Sequence, residues 1–307
     1  MGELPSVNLA ERALRLTRTQ PFDAFDAADV AILAAAGREI VCPGRFQLVA
    51  EGERAAGHWV ALTGRLRGLH RGEPLAGDPI EKGFGGLSVL TGLPLPCDVV
   101  AEPGTVLFVL DADALLEALE ERGRLARTAL RAMARSVLAN RSEEKSSPPT
   151  AWTVAPRRER GTLDLVSRMT ALRSAVRMNA PNPAILTRFA RAARVESVPR
   201  GRNLWPDPAA PADLMVVLEG ALDRRPEGEH LPEGRRGAVY GLMETLASVP
   251  ADRPVIATAE TLVMVVSHCE VQEALDDDDR ICLALLRHAA FELWNTFWRR
   301  HPGVQAS

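Results

Sequence analysis

One block of this chain occurs twice. Gly83-Phe84-Gly85-Gly86-Leu87-Ser88 is a glycine-rich opening into an apolar turn of helix. A loop with Gly92, Pro94 and Pro96 follows, and Asp98-Val99-Val100-Ala101 then reads as a strand. Tyr240-Gly241-Leu242-Met243-Glu244-Thr245-Leu246 repeats the opening, and Pro250 and Val255-Ile256-Ala257 repeat the rest. Gly85 and Gly241, Pro94 and Pro250, and Ala101 and Ala257 are each 156 positions apart. A single long, fixed period in a chain of 307 residues predicts two related domains rather than a solenoid of short repeats.

Composition narrows the function classes. Apolar residues make up 46% of the chain, enough for each half to bury a core. A net charge of −3 argues against general nucleic-acid binding, which relies on basic faces to neutralise phosphates. No run approaches the roughly 20 apolar residues of a membrane span. The N-terminus has no basic segment leading into an apolar one, so a cytoplasmic protein is expected. Cys42, Cys97, Cys269 and Cys282 form no C-x-x-C pair and read as small buried hydrophobes in a reducing compartment.

In chain order, residues 1 to about 20 read as helical, and Asp26 caps a second helix through Val30, Ile32, Leu33 and Ala36. From Arg38 the period changes to short strands divided by Gly44, Gly52 and Gly64, the pattern of a β-roll. Arg65 to Arg71 reads as an outward polar strand. The run Thr105 to Leu110 reads as the strand that closes the barrel. Two helices split at Gly123 follow. Arg141 to Arg160 is polar and broken by prolines, which makes it the domain boundary, with Trp152 docked on one of the domains. The same order then returns: helices from Gly161 and Ala184, strands at 195–198 and 214–218, the second block, a strand at 261–266 and two last helices.

The repeated block resembles the phosphate-binding cassette of the cyclic-nucleotide-binding domain family: Phe-Gly-Glu, small and apolar residues, a Gly-x-Pro loop, Arg-Ser-Ala, and a strand ending Val-x-Ala. That pattern aligns without gaps to Phe84 through Ala101 and to Tyr240 through Ala257. The resemblance implies an α+β fold of two tandem β-roll, jelly-roll-like domains, each flanked by helices. The expected divisions are 1–140 for the first domain, 141–160 for a linker and 161–307 for the second. The two ligand anchors of the family are missing from both copies. Its ribose-holding glutamate falls on Gly86 and Leu242, and its phosphate-pairing arginine falls on Leu95 and Ala251. Loss of a bidentate charge-assisted contact costs about 2–3 kcal/mol, so losing both anchors weakens binding by orders of magnitude.

Two readings of the cassettes stay open: the glycines serve a turn retained from an ancestral site and the nearby cations are solvated surface, or the cassettes bind an anion. The cassette residues Phe84, Gly85, Gly86 and Leu95, and Gly241 and Leu242, mark where a ligand would lie, because backbone N–H groups at a glycine-rich helix start attract phosphate. Lys82 is a nearby cation for the first cassette, and Arg235, Arg236 and Arg253 for the second. Glu244, two residues after the family's glutamate position, reads either as a ligand contact or, as a helix residue, as pointing to water. No catalytic set emerges around the six histidines, and His288 reads as a packed residue rather than a metal ligand. Asp276 to Asp279 lacks the glycine and glutamate of a calcium loop, so no metal is expected. In the last helix Leu293, Trp294, Phe297 and Trp298 form an aromatic stripe; it either pairs with a second copy in a homodimer or packs back on its own roll.

The resulting expectation is a non-enzymatic regulatory or scaffold protein, impaired in binding cAMP or cGMP, which acts through an unidentified protein partner and carries no cofactor. The alternative is a sensor that binds a nucleotide or other small anion through the non-standard cassette residues. A helix-turn-helix module of the catabolite-activator type is not expected, as the segment after Arg300 is too short for one.

Overall fold

The computed structural model describes residues 2–3, 8–75, 80, 83–143, 163–175, 183–205, 209–223, 237–251 and 254–299. Trp152, with most of the 141–160 boundary, lies outside them, as do Lys82, Arg235, Arg236 and Arg253. Two compact units are present: Met1–Met133 together with Ala289–Ser307, and Ala134–His288.

The first unit runs β1 (Gly2–Glu3), α1 (Leu9–Leu16), a 3-10 turn at Phe22–Ala24, α2 (Ala27–Ala36), β2 (Arg38–Cys42), β3 (Phe46–Val49), β4 (Gly57–Thr63), β5 (Leu66–His70), β6 (Glu73–Pro74), β7 (Gly83–Phe84), α3 (Gly86–Thr91), β8 (Asp98–Ala101), β9 (Thr105–Asp111), α4 (Ala112–Glu121) and the start of α5 (Gly123–Glu143). Its strands form two antiparallel sheets, ordered β1-β2-β9-β4-β7 and β3-β8-β5-β6. Sequence reading expects β9 to close a barrel. Instead β9 pairs with β2 and β4 inside one sheet, so the roll is two open sheets facing each other across a core. Ile40, Cys42, Trp59, Leu107 and Val109 fill that core from the first sheet, and Val49, Leu66, Val99 and Ala101 from the second.

Strand alternation explains the other face. Phe108 and Leu110 point away from the roll yet are fully buried, which is why Thr105–Asp111 reads as an almost unbroken apolar run. Helix α1 is fixed to the helix-facing side of the first sheet by charge. Arg12 Nη1 donates to the carbonyls of Ala34 (2.9 Å) and Gly37 (2.8 Å), the free acceptors at the end of α2. Arg12 and Arg15 also bracket the buried Glu39 carboxylate at 3.4 and 3.0 Å. The segment 65–71 is not the outward polar strand of the sequence reading. Between β8 and β6 it buries Leu66 and Leu69, while Arg67 lies at the surface against Glu102 (3.0 Å).

The second unit contains α6 (Leu165–Ala175), α7 (Pro183–Ala192), β10 (Arg194–Val198), β11 (Leu214–Glu219), β12 (Leu222–Asp223), β13 (Val239–Tyr240), α8 (Leu242–Ala247), β14 (Ile256–Ala257), β15 (Thr261–Val266), α9 (His268–Asp277) and the start of α10 (Asp279–Arg299). Its sheets run β10-β15-β11-β13 and β12-β14. The registers follow the same 156-residue interval as the sequence block. Arg38 pairs with Val109, and Arg194 with Val265. The bulge between Ala61 and Thr63 recurs between Val217 and Glu219. The arginine clamp recurs too: Arg168 Nη1 donates to Ala190 O (3.3 Å) and Ala193 O (2.7 Å) at the end of α7. Val198, Met215, Val217, Leu222, Val255, Ala257, Val263 and Val265 form this unit's roll core.

Candidate functional site

The first cassette begins where β7 hands over to α3. Gly85 has φ +96, and a Cβ there would stand 2.1 Å from the Gly57 carbonyl oxygen. Gly241 at the same point of the second cassette has φ +81, and its Cβ would stand 2.1 Å from Asp213 O. Both glycines are thus required by the crossing of two backbones. Gly86 is required less strictly: its Cβ would meet His58 Nδ1 at 3.1 Å, so this position faces a histidine ring. Ser88, buried behind the helix, donates from Oγ to Leu93 O (2.6 Å) and accepts from Ala55 N–H (3.1 Å), which ties α3 to the loops on either side.

Leu95 stands where the resemblance places an arginine. It is 3% exposed and belongs to the roll core. Its N–H donates to Glu53 O and its carbonyl accepts from Gly52 N–H, both at 2.8 Å, so the backbone on either side is held. Phe84 is also in this core, stacked on its cross-strand partner Trp59 with ring centres 6.0 Å apart and planes at 12°. The last part of α10 completes the enclosure. Trp294 and Trp298 are buried in the same core, Phe297 packs against it half-buried, and Leu293 is half-buried beside them. Trp298 meets Trp294 and Phe297 edge-on at 5.6 and 4.7 Å. The stripe therefore packs on the roll of the first unit.

The electrostatics of this enclosure are those of an apolar core. Burial pushes the Cys97 thiol up to about 12, with the Glu51 and Asp98 carboxylates adding to the shift, and burial raises Cys42 as well. Neither thiol is a ready nucleophile. Trp59 is 9% exposed, and its Nε1–H meets no acceptor among the described residues. On the helix-facing side of the same strand, His58 Nδ1–H donates to Phe84 O (3.0 Å), which fixes the tautomer. Its Nε2 is buried and has no partner among the described residues. Desolvation outweighs that hydrogen bond and lowers the imidazole to about 4.

The second cassette is covered differently. The ring of Trp205 packs over Gly241, 3.0 Å from where a Cβ would stand, at the opening of α8. Asn203 holds this tryptophan by donating to its carbonyl (3.0 Å) and accepting from its N–H (3.2 Å). Helix α8 is buried at all six positions, Leu242 among them, and Glu244 is 1% exposed. Glu244 therefore does not reach water as its sequence context suggests; it occupies the inner position that Ser88 takes in the first cassette. Cys269 departs from the buried reading and is exposed, while the other three cysteines are buried.

Of the residues singled out in sequence, Phe84 and Leu95 lie in the core of the first roll, Gly85 and Gly86 stand at the start of α3, and Gly241 and Leu242 at the start of α8. Sequence reasoning missed Trp59, Trp205 and His58. Their signal was a large aromatic ring in or next to a short strand, which does not by itself say which side of the sheet it takes. Among the described residues no group of His, Cys, Asp and Glu is placed to hold a metal ion, and no helix is long and apolar enough to cross a membrane.

No protein-family model matches the chain, and no curated protein matches it in sequence. The chain is similar to the regulatory domain of Toxoplasma gondii protein kinase A crystallised with cAMP, at 17% identity and a TM-score of 0.35, over 88% of this chain and 93% of that one. A regulatory subunit of a cAMP-independent protein kinase A from Trypanosoma brucei is similar at 15% identity and a TM-score of 0.36, over 89% and 88%. A cyclic nucleotide-binding-like protein from Brucella abortus is similar at 19% identity and a TM-score of 0.32, over 36% of this chain and 98% of that one.

Proposed function

We propose that this chain is a non-enzymatic regulatory protein made of two tandem cyclic-nucleotide-binding-like domains, that its cassettes do not hold a cyclic nucleotide, and that it acts through contact with another protein. The observation that carries the reading is Leu95. At the position of the family's arginine stands an aliphatic side chain sunk in the roll core, with its backbone pinned on both sides. The α10 aromatics share that core, and Trp205 covers the helix opening in the second cassette. A cyclic phosphate entering either cassette would lose its hydration without meeting a charge-assisted partner among the described residues. The recurrence of registers, bulge and arginine clamp at one interval supports the two-copy reading.

Titration calorimetry with cAMP and cGMP tests it. No saturable heat is expected up to millimolar nucleotide. Micromolar binding of either would overturn the proposal. A saturable response to another nucleotide that Arg253→Ala abolishes would favour the sensor reading instead.

A further inference from the structure

Among the described residues, the core of the first roll contains a polar group, the Trp59 indole N–H, that its packing does not explain. Trp59 lies inside the roll, its Nε1–H is buried, and no acceptor meets it among the described residues. A buried indole N–H usually finds a partner, because leaving it unmade forfeits the hydrogen bond it has in water. Trp59 is also one half of a stacked pair with Phe84. Against the same core sit three aromatic side chains from the far end of the chain, Trp294, Phe297 and Trp298. The arrangement is an aromatic-lined enclosure, filled by aromatic rings, in which the Trp59 donor meets no acceptor among the described residues.

We propose that the first roll is a binding site for an uncharged aromatic molecule carrying a hydrogen-bond acceptor, and that the α10 aromatics are its resident substitute. The ligand's acceptor takes the Trp59 N–H, its ring takes space now held by Trp294 and Trp298, and binding and release of the α10 end are the same event. The proposal rests on the reading that this roll does not hold a cyclic nucleotide. The lining excludes an anion by the same chemistry: Leu95, Leu87, Leu93, Cys97 and Val99 offer a phosphate nothing. Helix displacement links occupancy of the roll to a surface that a partner protein can read.

The test uses the full chain and two isosteric probes. Quinoline is uncharged at neutral pH and carries a ring nitrogen acceptor; naphthalene has the same shape and none. Ligand-observed NMR gives both affinities. Quinoline is expected to bind about tenfold tighter, the ratio one net hydrogen bond supplies. In Trp59→Phe, which keeps the stack and removes the donor, the two probes should bind alike. Trp298→Leu should tighten both by about threefold or more, as the resident competitor is weakened. The proposal is overturned if neither probe binds the wild-type chain, if both bind equally, if the preference survives Trp59→Phe, or if Trp298→Leu leaves the affinities unchanged. A parallel cAMP titration separates the two levels: cAMP binding overturns the underlying reading, whereas silence to both cAMP and quinoline overturns this proposal alone.

Discussion

Restoring the arginine at position 95 is the sharpest perturbation of the proposed reading. Leu95 is 3% exposed, and exchanging it removes about 2 kcal/mol of apolar burial. A guanidinium in the same core, without a counter-charge, adds a penalty of about 3 kcal/mol or more. Because Glu53 O and Gly52 N–H hold the backbone at 2.8 Å on both sides, the new side chain is not free to swing out with its loop. Leu95→Arg is therefore expected to lose about 5 kcal/mol, the whole stability of a marginal domain. Leu95→Met, which keeps volume and polarity, should lose less than about 1.5 kcal/mol. Both are read by urea unfolding, with and without about 1 mM cAMP; a ligand with a dissociation constant near 0.2 mM would stabilise the chain by about 1 kcal/mol there. If Leu95→Arg loses under about 1 kcal/mol, or if cAMP recovers the loss, the roll is open to water and phosphate, and the reasoning from burial fails.

Other residues give independent checks. His58 titrates at about 4 in the folded chain against 6.5 ordinarily, so the unfolded chain binds more protons between those values and stability falls as the pH drops from 6.5 towards 4. The shift amounts to about 3 kcal/mol, and subtracting the unfolding curve of His58→Asn, which keeps a donor towards Phe84, should isolate it; superimposable pH profiles would contradict the burial of this ring. Arg12→Ala uncaps two carbonyls of α2 and leaves Glu39 buried beside Arg15 alone, for an expected loss of about 3 kcal/mol. Arg168→Ala uncaps Ala190 and Ala193 and frees Leu163 O with no buried carboxylate at stake, so chemical unfolding should show a smaller loss of about 1–2 kcal/mol; equal losses would mean that Glu39 contributes nothing to the first clamp.

Much of the fold was legible because it is written in backbone requirements. A glycine forced to φ +96 against a neighbouring carbonyl leaves the same mark in both copies, so Gly85 and Gly241 located the cassettes and their interval. The helix start at Asp26 was legible for a similar reason, since its carboxylate accepts from the N–H of Asp29 (2.8 Å). Side-chain destinations were less so. Six residues of α8 are too few for a helical period to separate an inner face from an outer one, and Glu244 is buried with the rest. The aromatic stripe of α10 announces burial without naming its target, as its partners lie some 200 residues earlier in the chain. Barrel closure was misjudged because an apolar strand such as Thr105–Asp111 is equally suited to the centre of an open sheet with both faces covered.

On the proposed reading neither roll holds a charged ligand, so each enclosure has to be filled in another way. A cyclic nucleotide held by arginine and glutamate fills volume as well as balancing charge. Without it, an apolar cavity costs about 24 cal/mol for each Å³ left empty, and a void of ligand size is not sustainable in a domain of ordinary stability. Aromatic side chains pack against each roll core, but from a different source in each. The second uses Trp205 from its own turn, fastened by Asn203, so its filling is local and withdraws only if that turn opens. The first uses residues 294–298, almost at the end of the described chain, whose nearest covalent link to the roll is long. A filling held by non-covalent contacts at the end of a helix can leave and return without unfolding the strands around it, whereas a filling built into a turn cannot. On the proposed reading, the end of α10 is therefore the part of the first unit expected to open most readily. Hydrogen exchange should reflect that division: amides of 290–299 are expected to exchange faster than those of β4 and β9, while amides around 203–205 and α8 exchange together with β11 and β15.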